Sequence, residues 1–130
     1  MSIFVVITYW IMESTGKIIV QKLKIEHNDV YILAEKYYAI LSAINDLKLT
    51  QREIQLIAFA VVKGNLSYKH FREEFCTKHN TTNPTINNII SKLKKIGVLV
   101  KDGSKIKVNP VIRLNFNDEV RLEVKMNGKA

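Results

Sequence analysis

Cys76 and His79 stand three residues apart in FCTKH, a spacing that makes a thiol and an imidazole neighbours on a helix. Two such ligands without a second pair make a poor metal site. His27 and His70 lie in other segments and do not complete it. Cys76 is the one cysteine, so an internal disulfide is excluded, which fits a reducing compartment or simple indifference to redox, and a half-buried thiol is the expected reading. No serine, cysteine or acid pair sits in a context that suggests nucleophilic or acid–base catalysis. A non-enzymatic protein with no cofactor and no metal is expected.

The remaining chemistry lies in the charge. The formal net charge is +8 over 130 residues, and it is unevenly placed. Residues 1–48 hold five Lys against five Asp and Glu, whereas residues 49–108 hold eleven Lys and Arg against four acids, a net of +7. Residues 109–130 add four cations and three acids. A local surplus of this kind is the footprint of a polyanion binder, and its ordinary alternative is a charge that keeps the protein soluble.

These groups need elements to hold them. The chain has room for one domain, its 47% hydrophobic fraction suits a globular core, and two prolines and five glycines with no Ser/Gly tract leave no linker. The opening MSIFVVITYWI is too short to span a bilayer, which takes roughly 20 residues, and has neither the basic start nor the small-residue cleavage site of a secretory signal. It reads as a strand that pairs, across a turn at Ser14 to Lys17, with KIIVQKLKIEH, so residues 1–27 are expected to form a β-hairpin. Residues 28–48 read as a first helix with Val30, Leu33, Tyr37, Ile40, Leu41 and Ile44 on its core face and Tyr31 and Tyr38 off it.

Thr50 and Glu53 are placed for a capping box, with a helix from Gln51 to Lys63 ended by Gly64. Ser67 is the next candidate cap, before a short helix that carries Phe71 and Phe75. Asn83 then Pro84 starts a further helix, in which Ile86, Ile89, Ile90, Leu93 and Ile96 recur at helical spacing before Gly97. VLVKDGSKIKV gives two strands turning at Asp102, Gly103 and Ser104. VIRLNF and EVRLEVKM, within residues 109–130, alternate like a last hairpin. The fold class is α+β, in one domain.

LTQREIQLI is similar to an LTxRE opening found in several bacterial regulators, and TINNIISKLKKIGVLV resembles the pattern before the wing in MarR-type and related regulators of bacteria and phages. Residues 49–108, a little under half the chain, thus resemble a winged helix-turn-helix domain. The resemblance implies that the helix from Pro84 to Ile96 is a recognition helix. Asn87, Asn88, Ser91, Lys92 and Lys95 would be on its outer face, with Thr82, Asn83 and Thr85 at the end that enters a major groove. Asparagine can read adenine in a bidentate way, Thr and Ser bond several base edges, and lysines meet phosphate. Lys101, Lys105 and Lys107 would be on the wing.

The expected function is therefore a DNA-binding transcription or replication regulator from a bacterium or its phage, with double-stranded DNA and copies of itself, in a dimer or a larger assembly, as partners, no membrane, and a cytoplasmic location. About six phosphate contacts would give a log affinity falling with log salt at a slope near ~5. The regulator could dimerise through the first helix, with Tyr31 and Tyr38 off its core face, and the alternative function is a virion structural or connector protein that uses the same fold for protein contacts, with the β-rich ends as an assembly surface. Reversing Lys92 and Lys95 to Glu is the substitution that would separate the two.

Overall fold

Four helices and three antiparallel strand pairs make up the described part of the chain, which is residues 2–7, 10–12, 16–18 and 21–26 by backbone and 29–116 with side chains, in a computed structural model. β1 (Ser2–Ile7) pairs with β4 (Gln21–Glu26), and β2 (Trp10–Met12) with β3 (Gly16–Ile18). Ser2 faces Glu26, Ile7 faces Gln21 and Trp10 faces Ile18, so both ladders run in one register, as the expected hairpin requires. Gly16 and Lys17, expected in the turn, are instead paired opposite Met12 and Ile11.

α1 (Val30–Ile44) starts where the Asp29 carboxylate accepts the Tyr31 N–H at 2.9 Å. Its buried face is rotated from the expected one, of which Tyr37 and Leu41 still pack against the core. Ala34, Tyr38 and Ser42 are buried, while Val30 and Ile44 are exposed. This stretch is apolar on nearly every side, so its period alone leaves the rotation open, and the partners of Tyr38 decide it. The Tyr38 hydroxyl donates to the Ile112 carbonyl at 2.9 Å and accepts from the buried Leu114 N–H at 3.0 Å. Tyr31 stacks on Phe59 at 5.8 Å between ring centroids. The two tyrosines assigned to an outer contact face therefore pack inward.

Burial pushes the Tyr38 phenol up to about 12, so its proton stays in place across the ordinary pH range. Tyr38→Phe should lower unfolding stability by about 1–2 kcal/mol in a urea titration, because the Leu114 N–H would keep its burial and lose its acceptor.

α2 (Gln51–Lys63) carries the expected capping box, with Thr50 N–H donating to Glu53 Oε1 at 2.8 Å and Glu53 N–H to Thr50 Oγ1 at 3.2 Å. α3 (Lys69–His79) is capped at Tyr68 rather than Ser67. The reason is Asn65, whose Oδ1 accepts both the Ser67 N–H at 2.9 Å and the Ile106 N–H at 3.0 Å and so takes the junction out of helical geometry. α4 (Asn83–Lys95) begins one residue before the expected start, with Thr82 as the cap and its hydroxyl 3.0 Å from that of Thr85. Ile86, Ile90 and Leu93 are buried and Ile89 is half-buried, but Ile96, expected with them, is exposed.

Gly97 leaves α4 at a φ of +83°, and the chain enters β5 (Leu99–Asp102), which pairs with β6 (Lys105–Val108). Asp102 faces Lys105 across a two-residue loop whose first member, Gly103, has a φ of +60°. That is the position where a type II′ turn needs glycine. Leu66 N–H donates to the Ile106 carbonyl at 2.9 Å, which ties the hairpin to the α2–α3 junction. Leu56, Phe59, Phe75, Ile86, Leu93, Leu99 and Val108 meet in one core between the helices and the hairpin.

The expected strand VIRLNF is not a strand. Asn109 accepts the Val111 N–H at 3.1 Å and opens a single 3-10 turn, Pro110–Ile112, after which the segment is held by Tyr38. Its alternation is real, since Leu114 is buried and Val111 exposed, but it serves packing under α1 rather than a ladder. Its expected partner EVRLEVKM lies outside the described residues.

Candidate nucleic-acid interface

α4 buries Ile86, Ile90 and Leu93, and at 100° per residue the direction opposite that stripe falls on Asn88, Ser91 and Lys95, all exposed. The other polar residues of the helix lie to either side. Lys92 reaches α2 and pairs with Glu53, its Nζ 2.7 Å from Oε2 and 3.0 Å from Oε1. Asn87 and Asn83 turn to α3, where Arg72 Nη1 donates to Asn87 Oδ1 at 3.4 Å and the Cys76 thiol lies 3.7 Å from Asn83 Oδ1. Thr82 and Thr85 are exposed and bonded to each other at the start of the helix.

Glu53 is held from two helices. Its side chain is 5% exposed, and burial by itself pushes the carboxyl up. The Lys92 ammonium and the Thr50 N–H outweigh that push, so the group lies below its ordinary value. Glu53 thus fixes α4 against the start of α2 as a charged group.

The remaining charges sort in the same way. All four acids of residues 49–108 pair with a lysine: Glu53 with Lys92, Glu73 with Lys69 at 3.8 Å, Glu74 with Lys63 at 2.9 Å, and Asp102 with Lys107 at 3.4 Å. Three further cations are engaged by other groups. Arg52 donates to the His79 carbonyl at the end of α3, Arg72 to Asn87, and Lys78 lies 3.5 Å over the Tyr31 ring. Lys94, Lys95, Lys101 and Lys105 are exposed and make no ion pair among the described residues. They occupy the last turn of α4 and the hairpin that follows it. Asn109 closes the connection between the two, donating from Nδ2 to the Gly97 carbonyl and from its backbone to Val98, both at 2.9 Å.

No family model matches the chain, and neither the curated proteins nor the solved structures hold a match.

The sequence-derived residues fall into two groups. Asn88, Ser91, Lys95, Lys101 and Lys105 are exposed and make no side-chain hydrogen bond or ion pair among the described residues, whereas Asn83, Thr82, Thr85, Asn87, Lys92 and Lys107 each have a protein partner. Lys94 and Arg72 were not among the expected residues. Lys94 could have been found, since it is two helical turns from Asn87 on the same flank, but Arg72 could not, because its bond to Asn87 crosses between helices. Cys76 and His79 do not form a site. The thiol turns to Asn83, the imidazole packs 4.4 Å from the Phe75 ring, and among the described residues no three His, Cys, Asp or Glu could hold a metal together.

Proposed function

We propose that the protein is a non-enzymatic winged helix-turn-helix protein that binds duplex DNA, with α4 as recognition helix and β5–β6 as wing, and that it acts as a bacterial or phage regulator of transcription or replication. The observation that carries this reading is the sorting of charge. Pairing uses up the acids of residues 49–108, and the lysines left over are consecutive positions of one helix end and the two strands of one hairpin. A charge that served solubility alone would have no reason to collect there. The outward residues of α4 add side chains that bond base edges.

The test is a salt titration of binding to random-sequence duplex DNA by fluorescence anisotropy. Four unpaired lysines predict a log–log slope of roughly −3.5 per chain, shallower than six contacts would give. An affinity independent of salt, or no binding at low salt, would overturn the reading.

A second reading, a virion structural or connector protein, draws on the segment after the wing. Val111 is 89% exposed and Phe116 is also exposed, apolar surface suited to a protein contact. The same surface would serve a homo-oligomer of the regulator, two copies matching two half-sites. Among the described residues no helix is long and apolar enough to cross a membrane.

A further inference from the structure

We infer that Asn88, and not Asn87, selects the DNA sequence by bidentate recognition of one adenine, and that Arg72 is a positioning residue that holds the Asn87 oxygen toward α3; this rests on the DNA-binding reading above. A carboxamide reads adenine by accepting from the N6 amino group through its oxygen while donating to N7 through its nitrogen. Both ends must be available at once. Arginine has donors only, so the 3.4 Å contact from Arg72 Nη1 requires the oxygen of Asn87 to face the guanidinium. The Arg72 Nε is buried without a hydrogen-bond partner, so that end of the guanidinium lies against the protein.

Asn87 is then left with its amino group as the outward end. It can donate to guanine O6 or N7, thymine O4 or a phosphate, but its oxygen, turned toward Arg72, would have to serve adenine N6 through its second lone pair and away from its present direction, which makes Asn87 the poorer adenine reader. Asn83 is similarly occupied, its oxygen facing the Cys76 thiol. Asn88 is different: it is exposed, sits opposite the buried stripe of α4, and makes no side-chain hydrogen bond among the described residues. Ser91 and Lys95, three and seven residues further on, extend the same outward line toward further base edges and phosphate.

The experiment is selection from a duplex library with a randomised centre, using the wild type, Asn88→Ala, Asn87→Ala, Arg72→Ala and Arg72→Lys. The wild type should enrich an adenine at one position, and Asn88→Ala should lose that preference by roughly tenfold or more. Asn87→Ala should keep it. Arg72→Ala should alter the preference at a neighbouring base by freeing the Asn87 oxygen, whereas Arg72→Lys, still a donor, should restore the wild-type profile. Replacing the selected adenine by 7-deazaadenine, which lacks the N7 acceptor, should weaken the wild type and leave Asn88→Ala unchanged. Retention of the adenine preference by Asn88→Ala, or its loss in Asn87→Ala, would overturn the inference. Duplex binding without any base preference would overturn it while leaving the DNA-binding reading intact, and no duplex binding would overturn both.

Discussion

Replacing Lys94, Lys95, Lys101 and Lys105 together by Gln is expected to reduce duplex affinity by about a hundredfold or more at 0.1 M salt and to flatten the salt dependence toward zero. Each neutralised phosphate contributes close to one unit of slope through released counterions, so the four positions account for nearly all of it. The same substitutions should leave stability almost unchanged, within about 0.5 kcal/mol, because the side chains are exposed and pair with no acid among the described residues. Replacing Lys63 and Lys69, whose partners are Glu74 and Glu73, removes half as many charges and is the control. If the control weakens binding as much per charge removed as the fourfold variant, net charge and not its placement governs the interaction. Wild-type affinity in the fourfold variant would remove α4 and the hairpin as the contact surface.

Lys92→Glu should act on folding instead, lowering unfolding stability by about 3 kcal/mol. Removing one member of a buried ion pair costs about 3–5 kcal/mol because the other charge stays buried. The lower end applies here, since the Glu53 side chain is 5% exposed but that of Lys92 is 50% exposed and its ammonium is partly screened by water. The pH dependence gives a second readout with a definite sign. In the wild type the Glu53 carboxyl is held below the ordinary 4.5. Its contribution is therefore present above that pH and lost as pH falls through the lowered value. In Lys92→Glu the neighbouring charge pushes the carboxyl up instead, so acidification should relieve the variant where it weakens the wild type. Glu53→Gln in the same background should recover most of the loss. A variant as stable as the wild type would show that the pair does not hold α4. The paired reversal of Lys92 and Lys95 is consequently an unsuitable test of DNA binding, since half of it breaks the pair that holds α4 to α2.

The elements most readable in the sequence are those with local instructions. The Thr50–Glu53 box, Gly64 and Gly97 at helix ends, and Gly103 in the hairpin all act within four residues of themselves, and each stands where its chemistry placed it. The errors concern distance. α1 presents Tyr38 inward because its partners lie 74 and 76 residues away, and no apolar period in α1 could reveal them. The segment at residues 111–116 alternates like a strand, yet alternation specifies only which residues are buried, and here an α-helix takes the place of a neighbouring strand. For the candidate interface, residue type and helical spacing located the polar face of α4. They could not divide it, because the pairing of Lys92 with Glu53 and of Asn87 with Arg72 is a property of the packed helices.

The Tyr38 hydroxyl also sets an order of events. During synthesis α1 leaves the ribosome well ahead of Ile112 and Leu114, so the first helix of the core is made early and acquires its last polar partners late. Until then the phenol must remain hydrated or carry an unsatisfied group into the core, and either condition discourages α1 from settling prematurely. A nascent chain stopped within the hairpin would hold α1 to α4 and still lack the Ile112 and Leu114 partners of Tyr38. Tyr38 thus couples α1 to residues beyond the hairpin, so its two polar partners are supplied only after the hairpin has been made.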